Sequence, residues 1–191
     1  MPRNQEIEIK FSIQDIRELQ RRLRKSKFRL VTPRTHEINT LYDLDGQPLR
    51  KHGELLRLRE YGSEWTLTFK AKGKTGRHKT RIELETKVAD GKKMESILLA
   101  LGFTPSFRYE KFRAEWSDGK GHVVLDETPI GNFGEIEGKS RWIDQTARLL
   151  EIPTGSYIKQ SYTELFYAWK KRSRSSAKEM TFKAIGPRKR I

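Results

Sequence analysis

The sequence lacks cysteine altogether and contains no long hydrophobic run. Without cysteine among its 191 residues, disulfide bridges and thiolate metal sites are excluded. No apolar stretch approaches the roughly 20 residues that a helix needs to cross a bilayer. A charged, alternating segment follows Met1 almost directly, where a signal peptide would carry an apolar run. We therefore expect a cytoplasmic protein with no membrane partner.

Positive charge is in excess, but it is unevenly distributed. The net charge is +15, and the segment from Lys170 to Ile191 supplies +8 of it through nine Lys or Arg and one acid. This segment shows only weak helical or strand periodicity. We predict one domain over residues 1–170, followed by a mobile basic tail over residues 171–191 that is able to bind polyanions non-specifically.

Apolar and polar residues alternate along much of the chain, with the period of a β-strand. Strands are predicted over residues 5–11, 35–43, 55–60, 65–70, 80–88, 108–117, 122–127 and 134–138. Ser12, Asp90 and Ser161 have the character of N-caps for three helices, and apolar spacing over residues 143–150 predicts a fourth. The pattern indicates one α+β domain built around an antiparallel sheet.

Charged residues occupy one face of nearly every predicted strand, because alternate side chains point the same way. The face collects seven carboxylates: Glu6, Glu8, Glu83, Glu85, Asp126, Glu135 and Glu137. It also collects seven cations: Lys10, Arg57, Arg59, Lys70, Arg81, Lys111 and Arg113. The alternative is that this charged face is the solvent-exposed side of the sheet, although such a face would also contain Ser, Asn and Gln. If the sheet closes with this face inward, amphipathic helices would cover the apolar outside.

A lumen of this kind suits a polyphosphate. Adjacent carboxylates repel one another unless a cation neutralises them, and their oxygens favour Mg²⁺ or Mn²⁺. Bidentate arginine and the point charge of lysine both suit phosphate oxygens. We therefore predict a small-molecule triphosphate as the ligand, held by basic side chains and by divalent ions on carboxylates.

The segment Glu6-Ile7-Glu8-Ile9-Lys10 resembles the E-x-E-x-K signature of the CYTH family, the triphosphate tunnel metalloenzymes. Further resemblances follow in the family's order: Leu56-Arg57-Leu58-Arg59, Thr68-Phe69-Lys70, Arg81-Ile82-Glu83-Leu84-Glu85, Lys111-Phe112-Arg113, Leu125-Asp126 and Gly134-Glu135-Ile136-Glu137. A late Ser161-Tyr162 element is also similar. These matches leave the residues after Trp169 outside the resemblance.

The resemblance implies an eight-stranded antiparallel β-barrel whose tunnel binds a triphosphate together with Mg²⁺ or Mn²⁺. It implies that the metal ligands are Glu6, Glu8, Asp126, Glu135 and Glu137. It gives catalytic roles to Glu83, Glu85 and Lys70, the two carboxylates serving a metal or orienting water. The implied phosphate ligands are Lys10, Arg57, Arg59, Lys70, Arg81, Lys111 and Arg113.

Three classes of function stay open at this point. Hydrolysis of an inorganic or organic triphosphate, such as tripolyphosphate or thiamine triphosphate, is the leading prediction. A class IV adenylyl cyclase, which forms cyclic AMP and pyrophosphate from ATP, would use the same tunnel, so the motifs do not choose between the two. A non-catalytic binder of polyphosphate or nucleic acid is the third class, favoured by the basic tail. The oligomeric state is not indicated.

Two smaller groups of residues are interpreted as structural. The four histidines show no spacing typical of metal ligands. Tyr162, Phe166 and Trp169 recur at helical spacing, and we expect them to pack in the core.

Overall fold

A computed structural model describes residues 5–186 of the chain. Its strands are β1 (Gln5–Ser12), β2 (Arg29–Asp43), β3 (Leu55–Tyr61), β4 (Glu64–Lys70), β5 (Lys74–Thr75), β6 (Lys79–Val88), β7 (Thr104–Ser117), β8 (His122–Thr128) and β9 (Gly131–Glu137). Its helices are α1 (Ile16–Lys25), α2 (Pro48–His52), α3 (Gly91–Ala100), α4 (Ser140–Leu149), α5 (Tyr162–Ser173) and α6 (Phe182–Ile185). None of the helices in this part of the chain is long and apolar enough to span a bilayer.

The strands form one antiparallel sheet that closes on itself. Their order is β1-β9-β8-β7-β2-β3-β4-β6, and β6 pairs back with β1. In that closing pair Glu6 lies opposite Arg81, and Glu8 lies opposite Lys79. The short β5 only adds to the beginning of β6. The predicted α+β fold with an eight-stranded barrel is therefore confirmed.

The apolar core lies outside the barrel wall, beneath the helices. Ile9 of β1 and Ile136 of β9 pack in one buried cluster with Leu23 of α1 and Ile143 of α4. Leu23, Ile136 and Ile143 are completely buried, and each such side chain contributes about 1.5–3 kcal/mol through its removal from water. Because β1, β8 and β9 use one parity in this way, their other parity faces the lumen, whereas Ile82 and Leu84 on the outer face of β6 are exposed.

The first helix begins later than the sequence predicts. Asp15, and not Ser12, is its N-cap: the Asp15 carboxylate accepts hydrogen bonds from the backbone N–H groups of Arg17 (2.8 Å) and Glu18 (3.1 Å). Ser12 instead continues β1 and pairs with Phe133 of β9. The sheet pairing holds the backbone extended beyond the point at which a serine cap would have turned it.

Strand β2 begins six residues before the predicted start at residue 35. The added part of the strand contains Pro33, which has no N–H group for a sheet hydrogen bond. The pairing of β2 with β7 shifts register between Leu30 and Thr32 and again between Thr32 and Thr35. These bulges accommodate the proline and let the strand continue.

The segment after α5 packs against the barrel. Met180 donates its backbone N–H to the carbonyl of Arg108 (3.0 Å) and accepts from the N–H of Glu110 (3.0 Å). The carboxylate of Glu110 accepts from the N–H of Phe182 (2.7 Å). Ala177 and Met180 are buried in an apolar cluster, so this segment is held by both packing and hydrogen bonds.

The prediction of a mobile tail is therefore wrong for residues 171–186. Weak periodicity and a high charge hid the fact that Ala177 and Met180 face inward while Lys178 and Glu179 between them face solvent. Residues 187–191, which also belong to the predicted tail, lie outside the described residues.

Candidate active site

The barrel encloses a cavity of about 360 Å³ whose wall is dominated by charged side chains. Eight cations line it: Lys10, Arg57, Arg59, Lys70, Lys79, Arg81, Lys111 and Arg113. Seven carboxylates line it as well: Glu6, Glu8, Glu83, Glu85, Glu115, Glu135 and Glu137. Alternation along the strands directs these side chains inward, and the apolar partners of the same strands face outward.

The structure brings the predicted site residues together in this cavity. Only Asp126 is set back from the wall, where it is completely buried and accepts hydrogen bonds from three residues that do line the cavity, Lys111, Arg113 and Tyr162. The side chains of the predicted site residues therefore converge on one lumen, apart from that of Asp126. The individual roles as metal, phosphate or catalytic ligands stay predictions.

Strand β2 contributes charged and polar residues that the sequence reasoning missed. Glu37 is completely buried, with its Oε1 3.3 Å from Nζ of Lys111 and its Oε2 3.6 Å from Nε of Arg113. Asn39 donates from Nδ2 to Oε1 of Glu37 (2.8 Å). The signal was available, since Glu37 and Asn39 flank Ile38 in the same alternation that marks the other strands.

Several residues that line the cavity were missed as well, among them Lys79, Glu115 and Tyr162. Lys79 precedes the predicted start of its strand by one residue, and Glu115 lies in a predicted strand whose Lys111 and Arg113 were recognised. Tyr162 was expected to pack in the core. It does lie in an apolar cluster, and it lines the cavity as well.

Asp126 links the phosphate-binding candidates of β7 to α5. Its Oδ2 accepts hydrogen bonds from Nζ of Lys111 (2.9 Å), Nη2 of Arg113 (2.7 Å) and the hydroxyl of Tyr162 (2.6 Å), and its Oδ1 accepts from Nε of Arg113 (2.7 Å). Burial and Arg113 act to lower the pKa of Lys111, but Asp126 and Glu37 outweigh them and raise it. Lys111 is therefore held in its charged form at the centre of the barrel.

Tyr162 lies in the first turn of α5, with its ring at the wall of the lumen. The Ser161–Glu164 capping box fixes the beginning of this helix. The ammonium groups of Lys10 and Lys111 lie 4.1 Å and 4.8 Å from the centroid of the Tyr162 ring, within the range of cation–π attraction. Burial and Asp126 raise the pKa of the Tyr162 hydroxyl, which keeps this group protonated as a donor.

A second set of ion pairs joins β1, β4 and β6. Glu6 lies 2.9 Å from Nζ of Lys70 and 2.8 Å from Nε of Arg81. Burial acts to raise the pKa of Glu6, but Lys70 and Arg81 outweigh it and bring the pKa down to about 2. Lys70 also lies 2.8 Å from Glu83. Lys70 is thereby shared by two carboxylates.

Arg57 and Arg59 meet the carboxylates of β6. Arg59 donates from Nη2 to both oxygens of Glu85 at 3.3 Å, and Thr68 donates to Glu85 at 3.0 Å. Nη2 of Arg57 lies 3.8 Å from Glu83 and 3.6 Å from Glu85. These longer separations leave the guanidinium groups able to take up further anionic oxygens.

Glu8 and Glu137 lie directly opposite each other in the pairing of β1 with β9. Glu8 has only distant cations, Lys79 at 3.7 Å and Arg81 at 3.9 Å, and the side chain of Glu137 makes no hydrogen bond or ion pair with a described residue. Desolvation by the surrounding wall, followed by the charges of Glu6 and Glu8, raises the pKa of Glu137 to about 7, although the residue as a whole is exposed. This end of the cavity is short of positive charge.

A divalent cation fits the carboxylate pair formed by Glu8 and Glu137. Hard carboxylate oxygens are the ligands that Mg²⁺ and Mn²⁺ prefer, and an ion there would offset the repulsion between the two groups. Among residues 5–186, no three acidic or histidine side chains already converge as a metal cage. Water and phosphate oxygens would therefore complete the coordination, as is usual for Mg²⁺.

The CYTH domain, as a family model, matches residues 4–162 of the chain. The chain belongs to the CYTH family. A Methanocaldococcus jannaschii protein provisionally named an adenylate cyclase is 28% identical over 171 residues, which cover 84% of this chain and 97% of that protein. As members of the CYTH family bind triphosphates and use divalent metals, the charged cavity has the ligand types that such an enzyme needs.

Solved structures of similar proteins share the fold. A Vibrio parahaemolyticus protein, also provisionally named an adenylate cyclase, superposes with a TM-score of 0.77 at 18% identity and covers 86% of this chain and 98% of its own. A Hippeastrum protein with a provisional adenylyl cyclase name superposes with a TM-score of 0.62 at 20% identity, covering 85% of this chain and 95% of its own. A dominant triphosphatase activity is stated for the Hippeastrum protein.

Proposed function

We propose that this CYTH protein is a divalent-metal-dependent triphosphatase, which removes the terminal phosphate from an inorganic or organic triphosphate. The observation that carries the proposal is the charge balance of the cavity, where eight cations face seven carboxylates. A triphosphate carries several negative charges, so a nearly neutral wall binds it well only when divalent ions add positive charge. The carboxylates provide places for those ions.

The cations of the wall are the phosphate ligands in this proposal. Lys111 and Arg113 are held by Asp126, and Lys70 and Arg81 are held by Glu6. Because their partners fix these side chains before substrate arrives, little reorganisation is required on binding. Lys10, Arg57 and Arg59 complete the set along the lumen.

Glu8 and Glu137 would hold the first divalent ion, since they lie opposite each other with few cations nearby. Glu6, Glu135 and Asp126 are the remaining proposed metal ligands, and each of them now contacts a cation that it would have to share or exchange. A bound Mg²⁺ or Mn²⁺ supplies positive charge to the phosphate oxygens and acidifies a coordinated water.

Hydrolysis joins the oxygen of water to the terminal phosphorus and breaks the bond between that phosphorus and the bridging oxygen. We assign the orientation of the water, and acceptance of its proton, to Glu83 and Glu85, which line the cavity beside Lys70 and Arg59. In this proposal Lys70 stabilises the charge that develops on the phosphoryl oxygens. The products are inorganic phosphate and the shortened diphosphate.

The adenylyl cyclase reaction is the second candidate, because the Methanocaldococcus jannaschii relative carries that provisional name. In it the ribose 3′-hydroxyl would attack the α-phosphorus and pyrophosphate would leave. The cavity favours hydrolysis, since its wall consists mostly of groups that recognise phosphate rather than a base.

A product assay separates the candidates. Tripolyphosphate, thiamine triphosphate and ATP are incubated with the protein in Mg²⁺ or Mn²⁺, and free phosphate, pyrophosphate and cyclic AMP are quantified. A triphosphatase releases phosphate from at least one substrate. Cyclic AMP with pyrophosphate would establish the cyclase instead, and tight binding without any product would establish a non-catalytic binder.

A further inference from the structure

We infer that the outer side of the barrel wall carries a binding site for a small organic cation, an ammonium group on an apolar body. The inference is independent of the proposed function, because the site shares no lining residue with the tunnel. It is carried by a cavity, by the unpaired carboxylates that line this cavity, and by an indole ring in its wall.

The cavity has a volume of about 350 Å³ and lies on the outward face of β2 and β3. Its floor is formed by side chains that point away from the lumen: Ile38, Thr40, Tyr42 and Leu58. Glu95 of α3 and Glu179 of the segment after α5 line it as well. Its volume falls within the range of roughly 300–1,000 Å³ that is usual for small-molecule sites.

The charge of this outer cavity is negative, whereas the whole chain has a net charge of +15. Three carboxylates line it, those of Glu60, Glu95 and Glu179, and Arg108 is the one cation among the described residues of its wall. The side chains of Glu60 and Glu179 form no ion pair or hydrogen bond with a described residue. Arg108 belongs to β7, two strands away from Glu60, so about 10 Å of sheet separates their backbones. The cavity therefore keeps negative charge that its own cation does not neutralise.

Trp65 lies beside the unpaired Glu60. The two residues are directly opposite each other in the pairing of β3 with β4, where the Cβ atoms of such a pair are about 4.5–5.5 Å apart. The beginning of α3 packs against the ring: a Cβ on Gly91 would lie 1.9 Å from Cδ2 of Trp65, so only glycine allows this approach. The contact holds the indole ring in place while the ring lines the cavity. An ammonium group is attracted by the carboxylate of Glu60 and by the face of the indole, which is the strongest cation–π partner among the side chains.

Tyr42 fixes the position of a second carboxylate. Its hydroxyl donates a hydrogen bond to Oε1 of Glu95 (2.7 Å). Burial, followed by the effect of Glu95, raises the pKa of the Tyr42 hydroxyl, so this group stays protonated as the donor. Oε2 of Glu95 has no partner among the described residues, and it is free to accept from a ligand.

An organic ammonium fits this arrangement better than a metal ion or an anion does. Among residues 5–186, no three acidic or histidine side chains converge as a metal cage, and Ile38 and Leu58 add apolar surface that a metal ion cannot use. A phosphate would be repelled by the carboxylates, so this cavity differs from the tunnel in the charge of its ligand. An ammonium group on an apolar body contacts carboxylate, indole and aliphatic surface at once.

The test titrates the full-length protein with choline and with its uncharged isostere, 3,3-dimethylbutan-1-ol, at about 0.15 M salt, which screens non-specific attraction. The indole N–H signal of Trp65 is followed by ¹H–¹⁵N NMR. Choline should shift it saturably with a Kd of about 1–10 mM, and the isostere should bind at least about fivefold more weakly. Glu60→Gln should raise the Kd for choline at least about fivefold, because it removes the charge and keeps the shape. The matched control is Glu64→Gln, in the same hairpin but paired with Lys87 outside the cavity, and it should leave the Kd unchanged.

Three results would overturn the inference. The first is no saturable shift of the Trp65 signal up to about 100 mM choline, roughly ten times the weakest Kd expected. The second is equal binding of choline and its isostere, since the cavity would then select shape and not charge. The third is loss of choline binding in Glu8→Gln with no effect of Glu60→Gln, which would place the cation in the tunnel. Because these titrations contain no triphosphate, their outcome is decided separately from that of the proposed function.

Discussion

Replacing Met180 by alanine should destabilise the whole barrel, although the side chain lies near the C-terminus in a strongly basic segment. Met180 is completely buried and packs in the cluster that contains Phe107, Tyr109 and Phe166. The rings of Phe107 and Phe166 are 5.3 Å apart, so they support each other and have little freedom to close the cavity left by the methionine. Such truncations cost about 2–5 kcal/mol, and we expect about 3 kcal/mol.

Urea unfolding followed by circular dichroism measures this loss. With an m-value of about 1–3 kcal/mol per molar urea, a loss of about 3 kcal/mol lowers the midpoint by about 1–3 M at unchanged m. The matched control is Lys178→Ala, two residues away and exposed, which should change the free energy of unfolding by less than about 0.5 kcal/mol. A Met180→Ala variant as stable as the control would refute the reasoning, since the C-terminal segment would then be detached in solution.

Three further predictions concern the tunnel itself. Tyr162→Phe removes the hydroxyl that donates to Asp126. It should lower kcat/KM for tripolyphosphate about tenfold, which corresponds to roughly one charge-assisted hydrogen bond, with little change in Tm. Unaltered kinetics would mean that only the ring of Tyr162 matters. EDTA should abolish turnover, and Glu8→Gln should reduce turnover at least a hundredfold. The control Glu179→Gln, at an exposed residue, should keep nearly wild-type activity. Full activity in EDTA would exclude a role for the metal. Arg59→Ala should lower kcat/KM about a hundredfold. Arg21 is exposed and lies outside the cavity, so an equal loss in Arg21→Ala would show that the effect comes from the net charge of the protein.

The sequence by itself determined which side chains share a face, because strand alternation is a local property. The set from Glu6 to Glu137 was found in this way, and the structure places nearly all of it on one cavity. The apolar side chains on the opposite face of the strands likewise predicted that helices cover the outside of the barrel. Leu23 of α1 and Ile143 of α4 pack there. The boundaries of two elements were predicted incorrectly: at Ser12, where a cap competed with sheet pairing, and at the beginning of β2, where the pairing with β7 is bulged.

Only the tertiary structure decided which partners meet, because the contacts of the site join residues far apart in the chain. Pairing of β1 with β6 brings Glu6 to Arg81 and closes the lumen. Docking of α5 brings Tyr162 to Asp126, 36 residues away. Met180 is buried, and its backbone hydrogen bond to Arg108 holds the segment after α5 against β7. Alternation gives each side chain a direction, whereas closure of the barrel and docking of the C-terminal segment depend on the twist of the whole sheet and on packing that no single segment contains.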